Sequence, residues 1–161
     1  MNPRYEDVLV ALRRIIRATD LYSQKLRKTV GLTTPQLLVL RAVSELGDVS
    51  LGRIARELSV SQATVTTIVD RLEARSLVQR DRSAADKRLV HVRLTASGHA
   101  VLERAPDLLQ DEFVRRFEKL ADWEQAMITS AIQRTATLMD AADIDASPLL
   151  HTGEIDPPKP V

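Results

Sequence analysis

Apolar positions at helical spacing open the chain. Val8, Leu12, Ile15, Thr19, Tyr22 and Leu26 recur at steps of four, three, four, three and four, the stripe of a long amphipathic helix from Tyr5 to about Lys28. A second helix is predicted over Pro35–Leu46, with Thr34 as cap, proline at its first position and Gly47 just past its end. The short "DVS" segment reads as extended. Ser50 then caps a third helix, "LGRIAREL", whose inward residues are Leu51, Ile54, Ala55 and Leu58.

After the tight turn "SVS", Ser61 caps a fourth helix, "QATVTTIVDRLEAR", with Val65, Ile68, Val69 and Leu72 on one face. Two helices of these lengths joined so closely make a helix-turn-helix. The periodicity then changes to two. "LVQR" (Leu77–Arg80) and "RLVHVRLT" read as the strands of a two-stranded wing, the second with Val90, Val92 and Leu94 inward and Leu89, His91 and Arg93 outward. Thr95 caps a fifth helix expected to reach the region of Leu120, and Asp122 with Gln125 marks the start of a sixth, Trp123 to about Ala141. Beyond Asp140, "DASPLLHTGEIDPPKPV" loses periodicity, carries four of the seven prolines and reads as a tail. The expected fold is mainly α with a small antiparallel β wing. Its segments are an N-terminal dimerisation helix (1–32), a winged helix-turn-helix (33–95), C-terminal dimerisation helices (96–142) and the Pro-rich tail (143–161).

Composition narrows the function. The net charge is only +1, but residues 1–95 hold 17 Lys and Arg against 10 Asp and Glu, whereas residues 96–161 hold 6 against 12. A basic excess confined to the helix-turn-helix half suits phosphate backbones. The absence of cysteine removes disulfides, thiolate zinc sites and thiol redox chemistry, and fits a reducing cytoplasm. The start lacks the basic-then-apolar order of a signal peptide and no run reaches a membrane span, so no membrane partner and a cytoplasmic location are expected. His91, His99 and His151 are scattered, and no nucleophile elbow, metal-ligand spacing or glycine-rich phosphate loop is present. No enzyme, metal or cofactor is therefore expected.

The candidate chemistry lies on the fourth helix and the wing. Gln62, Thr66 and Thr67 oppose the apolar face. If that helix enters a major groove, Gln62 can pair with adenine, the threonines can meet a thymine methyl or a phosphate, and the amides around Ser61 suit a phosphate. The loop from Arg82 to Arg88 hangs beside this helix and includes Lys87; Arg88 suits the narrow, electronegative minor groove, with Asp86 orienting its guanidinium. The alternatives are a solvated polar helix face and a surface ion pair.

These residues resemble the MarR family of winged helix-turn-helix regulators. "DKRLVHVRLTASG" is similar to the family's wing signature, and "SQATVTTIVDRLEARSLVQR" to its recognition helix and first wing strand. The resemblance implies that Ser61, Gln62, Thr64, Thr66 and Thr67 fall at DNA-contacting positions, that Arg88 is the minor-groove arginine and that Asp86 is its orienting partner. Two departures stand out: Ser76 where the family has glycine at a helix end, and Ala84 where the wing often has proline. It also implies a homodimer through the terminal helices, binding a double-stranded palindromic operator, more often to repress than to activate. A small aromatic or anionic effector would release the DNA, with Arg13, Arg17 and Tyr22, and also Trp123, as candidate pocket residues. A winged module that binds protein without sequence-specific DNA binding is the alternative.

Overall fold

The structure, a computed structural model, describes residues 4–82 and 90–144. The elements are α1 (Arg4–Val30), α2 (Thr34–Leu46), β1 (Val49–Ser50), α3 (Leu51–Glu57), α4 (Gln62–Ala74), β2 (Val78–Arg82), β3 (Val90–Leu94), α5 (Ala96–Arg104), α6 (Leu109–Phe117) and α7 (Asp122–Leu138). They fall into two compact units, one running through Ala105 and one spanning Pro106–Ala146.

The first unit is a winged helix-turn-helix. Helix α2 packs on α3 and α4, and a three-stranded antiparallel sheet of order β1-β3-β2 packs against α2, α3 and α4. Its register pairs Val78 with Leu94, Arg80 with Val92 and Arg82 with Val90, while Val49 pairs with Val92 across the other edge. Leu26, Leu32, Leu37, Leu40, Ile54, Val65, Val69, Leu72, Val78 and Val92 are almost fully buried; of these, Leu26, Ile54, Val65, Val69, Leu72 and Val92 lie on the apolar faces read from the sequence. Each fully buried aliphatic side chain contributes roughly 1.5–3 kcal/mol, so this small set supplies most of the force holding the head together. Leu51 and Leu58 of α3 are only half-buried, because a helix of seven residues has room for little more than Ile54 and Ala55 on its inner face.

Three helices end alike. After α3, Ser59 takes a left-handed φ of 51°, its N–H meets the Arg56 carbonyl and the Val60 N–H meets the Ala55 carbonyl at 2.9 Å. Ser76 (φ 56°) repeats this after α4 with Leu77 N–H on the Leu72 carbonyl at 3.0 Å, and Asp140 (φ 54°) repeats it after α7. This paired bonding satisfies carbonyls that a helix end would leave open, and it normally recruits glycine at the left-handed residue. Ser76 therefore bears the backbone strain expected of a non-glycine residue at that helix end.

Sequence expectation and structure part at three helix boundaries. Helix α2 is capped one residue earlier, at Thr33, whose N–H is bonded by Gln36 Oε1 at 3.0 Å. The expected single fifth helix is two, α5 and α6, interrupted at Ala105 and Pro106. Proline lacks the N–H to continue the ladder and drives the residue before it to extended backbone, as Ala105 shows with φ −68° and ψ 138°. The cap of α7 is Ala121, with Glu124 reaching back to its N–H at 3.0 Å; Gln125 instead donates to the Leu120 carbonyl.

The apolar stripes of α1 and α7 end up largely uncovered. Of the α1 stripe only Leu26 is buried, while Val8 and Ile15, with neighbouring Ile16, are exposed. In the second unit α7 has no buried residue, and Phe113, Trp123, Met127 and Ile132 are all more than half exposed.

Candidate nucleic-acid interface

Helix α4 owes its start to Ser61, whose Oγ accepts from the Thr64 N–H at 3.1 Å and lies 2.8 Å from the Thr64 hydroxyl. Both side chains are engaged in the cap, which leaves the remaining first-turn amides pointing outward with the positive end of the helix dipole. Gln62 is exposed, with Oε1 lying over Gly52 of α3. The Thr66 and Thr67 hydroxyls donate to the carbonyls of Gln62 (2.8 Å) and Ala63 (3.1 Å), and each oxygen keeps accepting capacity. The exposed side of α4 thus brings together the five residues singled out on that helix, Thr66 and Thr64 being half-buried at its margin.

Arg82 closes β2, opposite Val90. Its side chain lies outside the described residues, as do Asp86, Lys87, Arg88 and Ala84 and the tail beyond residue 144.

A cluster that sequence reasoning missed ties this helix to the wing. The Arg80 guanidinium, only 23% exposed, bridges Asp70 Oδ1 (2.5 Å) and Glu73 Oε2 (3.2 Å) and donates to the Thr66 carbonyl at 3.3 Å. Glu73 also accepts from the Arg80 backbone N–H through its other oxygen at 3.0 Å. One β2 residue thus holds α4 at three points over two turns, through charge-assisted bonds of fixed fork geometry. The available signal was the 3-residue spacing of Asp70 and Glu73, which puts both carboxylates on one helix face, with an arginine on the next element.

A second cluster spans the other side of the sheet. Asp48, between α2 and β1, takes Arg93 Nη2 at 2.9 Å and His91 Nδ1 at 3.2 Å, and Arg93 Nε is 3.8 Å from Asp81. The Arg93 hydrogen bond foremost, joined by that of His91, holds the Asp48 carboxyl below its usual range against an opposing desolvation effect, and Asp48 in turn raises the Arg93 guanidinium. His91, on the outward side of β3, thus has its Nδ1 engaged by Asp48.

On α1, Arg13 and Arg17 line an open groove with Val10, Arg14, Ala18 and Leu21. Tyr22 is half-buried on the same helix and does not line that groove; Trp123 lies in the second unit, 66% exposed. Among the described residues no group of three or more His, Asp or Glu side chains could hold a metal, and no helix is long and apolar enough to cross a membrane.

This geometry agrees with known proteins. Residues 32–90 match the MarR family. The chain is 25% identical over 128 residues to an uncharacterised HTH-type transcriptional regulator, YsmB of Bacillus subtilis, covering 80% of this chain and 88% of that one. It is 34% identical over 80 residues to the HTH-type transcriptional regulator MgrA of Staphylococcus aureus, half of this chain and 54% of that protein. Among solved structures it is similar to Bordetella bronchiseptica BpsR, whose DNA binding is regulated by 6-hydroxynicotinic acid, with a TM-score of 0.52, 28% identity and coverage of 81% of this chain and 98% of the other. Helix α4, its cap and the wing strands all lie within or beside the matched segment: residues 32–90 form a MarR-family domain, and the relatives the chain is similar to are transcriptional regulators, not enzymes.

Proposed function

We propose that the chain is a homodimeric repressor that reads a palindromic operator with α4 in the major groove and the wing in the flanking minor groove. The observation that carries this reading is the exposed polar face of α4 (Gln62, Thr66, Thr67), held by Arg80 at a set angle to the hairpin whose loop bears Lys87 and Arg88. A helix alone reads three or four base pairs; a helix with a wing fixed beside it spans two grooves. Ser61 and Thr64 act through the cap and its amides, Gln62 through a base edge, Arg82, Lys87 and Arg88 through phosphate and minor groove, and Asp86 by orienting Arg88.

Dimerisation accounts for the uncovered apolar surface. Tyr5, Val8, Leu9, Ile15, Ile16 and Leu21 on α1 are each 40–61% exposed, a density of exposed apolar side chains that a monomer seldom leaves in water. The α1 groove with Arg13, Arg14 and Arg17 offers three guanidinium groups beside apolar carbon, a chemistry suited to a small aromatic carboxylate effector. The effect of 6-hydroxynicotinic acid on BpsR supports that class of ligand.

The test is selection of bound duplexes from a random pool by the purified full chain. A two-fold symmetric consensus with half-sites about one helical turn apart is expected, and Gln62→Ala should flatten one position per half-site. Absence of any enriched sequence would overturn the reading in favour of a protein-binding winged module.

A further inference from the structure

The C-terminal end of α1 is held by arginines from two other elements. Arg75, the C-cap residue of α4, donates from Nη1 to the Gly31 carbonyl at 2.6 Å and from Nη2 to the Val30 carbonyl at 3.2 Å. Arg104, the last residue of α5, donates to the Thr29 carbonyl at 3.4 Å. Three consecutive carbonyls at a helix end, where four lack partners of their own and partial negative charge accumulates, thus accept from cations distant in sequence. The fit to Arg75 is close. Gly31 turns left-handed (φ 69°), and a Cβ added there would lie 3.0 Å from Arg75 Nη2, so the bare Cα makes room for the guanidinium.

We propose that Arg75 is a positioning residue for DNA binding: it locks the recognition helix to α1, and so sets the angle at which each protomer of the dimer presents α4 to its half-site. The proposal rests on the dimer-and-operator reading above. Helix α4 has 13 residues and is therefore roughly 20 Å long, so a 10° error at its Arg75 end displaces the other end by roughly 3 Å, about one base-pair step. In a dimer joined through α1 that error enters twice, once in each half-site. Arg80 fixes α4 to the wing and cannot correct it, because helix and wing would swing together. Arg75 sits at the opposite end of α4 from Ser61 and Gln62, and both of its terminal nitrogens already donate to carbonyls at the end of α1, so it acts on DNA through this joint.

The chain has no cysteine, which allows labels to be introduced one pair at a time. Nitroxides on Gln24→Cys (α1) and Ala63→Cys (α4), both at exposed positions, report the α1–α4 distance in protein diluted with unlabelled chain, without any DNA. Arg75→Ala should broaden that distance distribution. It should also weaken binding to the wild-type-selected duplex on the order of tenfold while leaving binding to random duplex, and the slope of log affinity against log salt, unchanged. Arg75→Lys, with a cation but one donor point, should recover part of both effects.

An unchanged distance distribution, or an unchanged ratio of selected to random affinity, overturns the proposal. A salt slope shallower by about one also overturns it, because Arg75 would then be touching phosphate. If the wild type selects no sequence, the operator reading falls, and the label distances still decide whether Arg75 holds the joint. Should Arg75→Ala fail to fold, Arg75→Gln measured the same way decides the matter.

Discussion

Gly98→Ala sets two effects of opposite sign against each other, and the structure decides between them. Gly98 is the third residue of α5, after its cap Thr95, whose hydroxyl accepts the Gly98 N–H at 3.0 Å. At an open helix position alanine is favoured over glycine by about 1 kcal/mol. Here a Cβ would lie 2.1 Å from the Leu77 carbonyl oxygen and 2.9 Å from Leu94 Cγ. The first distance is roughly 1 Å inside any ordinary carbon–oxygen contact, so backbone has to move. The Leu77 carbonyl is not free to do so: Leu77 is 4% exposed, and its oxygen accepts the Thr95 N–H at 3.1 Å where strand β3 leaves the sheet. Displacing it forfeits that bond, about 1–3 kcal/mol for a buried acceptor, in addition to about 1–3 kcal/mol of overpacking strain. After subtracting the helix-propensity gain, Gly98→Ala is expected to destabilise by about 1–5 kcal/mol. Urea denaturation at one protein concentration reads it, since a dimer's stability depends on concentration. A variant as stable as the wild type, or more stable, would refute the close approach of α5 to the β2 entry and the reason given for glycine in the "LTASG" segment.

Ser76→Gly should act in the opposite direction, raising stability by about 0.5–1 kcal/mol because the left-handed turn after α4 is costly for serine; a thermal melt showing no rise would deny that strain. Glu73→Gln removes the charge but keeps an oxygen for the Arg80 N–H, and should cost about 1 kcal/mol or less in stability while weakening binding to the selected duplex more than to random duplex; equal weakening of both would show that the α4–wing clamp sets no geometry. Asp48 is expected to titrate below its ordinary value of 3.8, because Arg93 and His91 favour its charged form. A depressed carboxyl stabilises the fold above its unfolded value, and that contribution disappears as pH falls through the lower folded value. Carbon-detected NMR of the Asp48 carboxyl should show the low midpoint, returning to the usual range in Arg93→Gln; a midpoint at 3.8 or above in the wild type would contradict the ion pair. Ile16→Glu on the exposed stripe of α1 should turn a sedimenting dimer into monomer without loss of helical signal, and a dimer that persists would place the interface elsewhere.

What could be read from the chain follows from where the information lies. The buried faces of α4 and β3 are periodic in sequence, so Val65, Ile68, Val69, Leu72 and Val92 could be placed in the core from spacing alone. Local chemistry also located the caps Ser50, Ser61 and Thr95, each accepting from an amide three residues on. The break between α5 and α6 was legible in Pro106, but the apolar and charged pattern on both sides hid it. The joints are what the sequence concealed. Arg75 meets carbonyls 44 and 45 positions away, Arg93 meets Asp48 across 45, and no periodicity marks a partner that only the folded chain brings near. Within the candidate interface, the polar side of α4 was evident as a pattern, whereas Arg80, which clamps that helix to the wing, looked like one more charged strand residue.

The most direct test of the central claim is a fluorescence-anisotropy titration of the full chain on its selected duplex, repeated over a range of salt concentrations. A dimeric regulator with a recognition helix and a wing on each half-site should bind two protomers per duplex. Its log affinity should fall linearly with log salt at a slope of roughly −5 or steeper, with Arg88→Ala lowering affinity and leaving the dimer intact. A shallow slope, one protomer per duplex, or equal affinity for selected and random DNA would contradict the account.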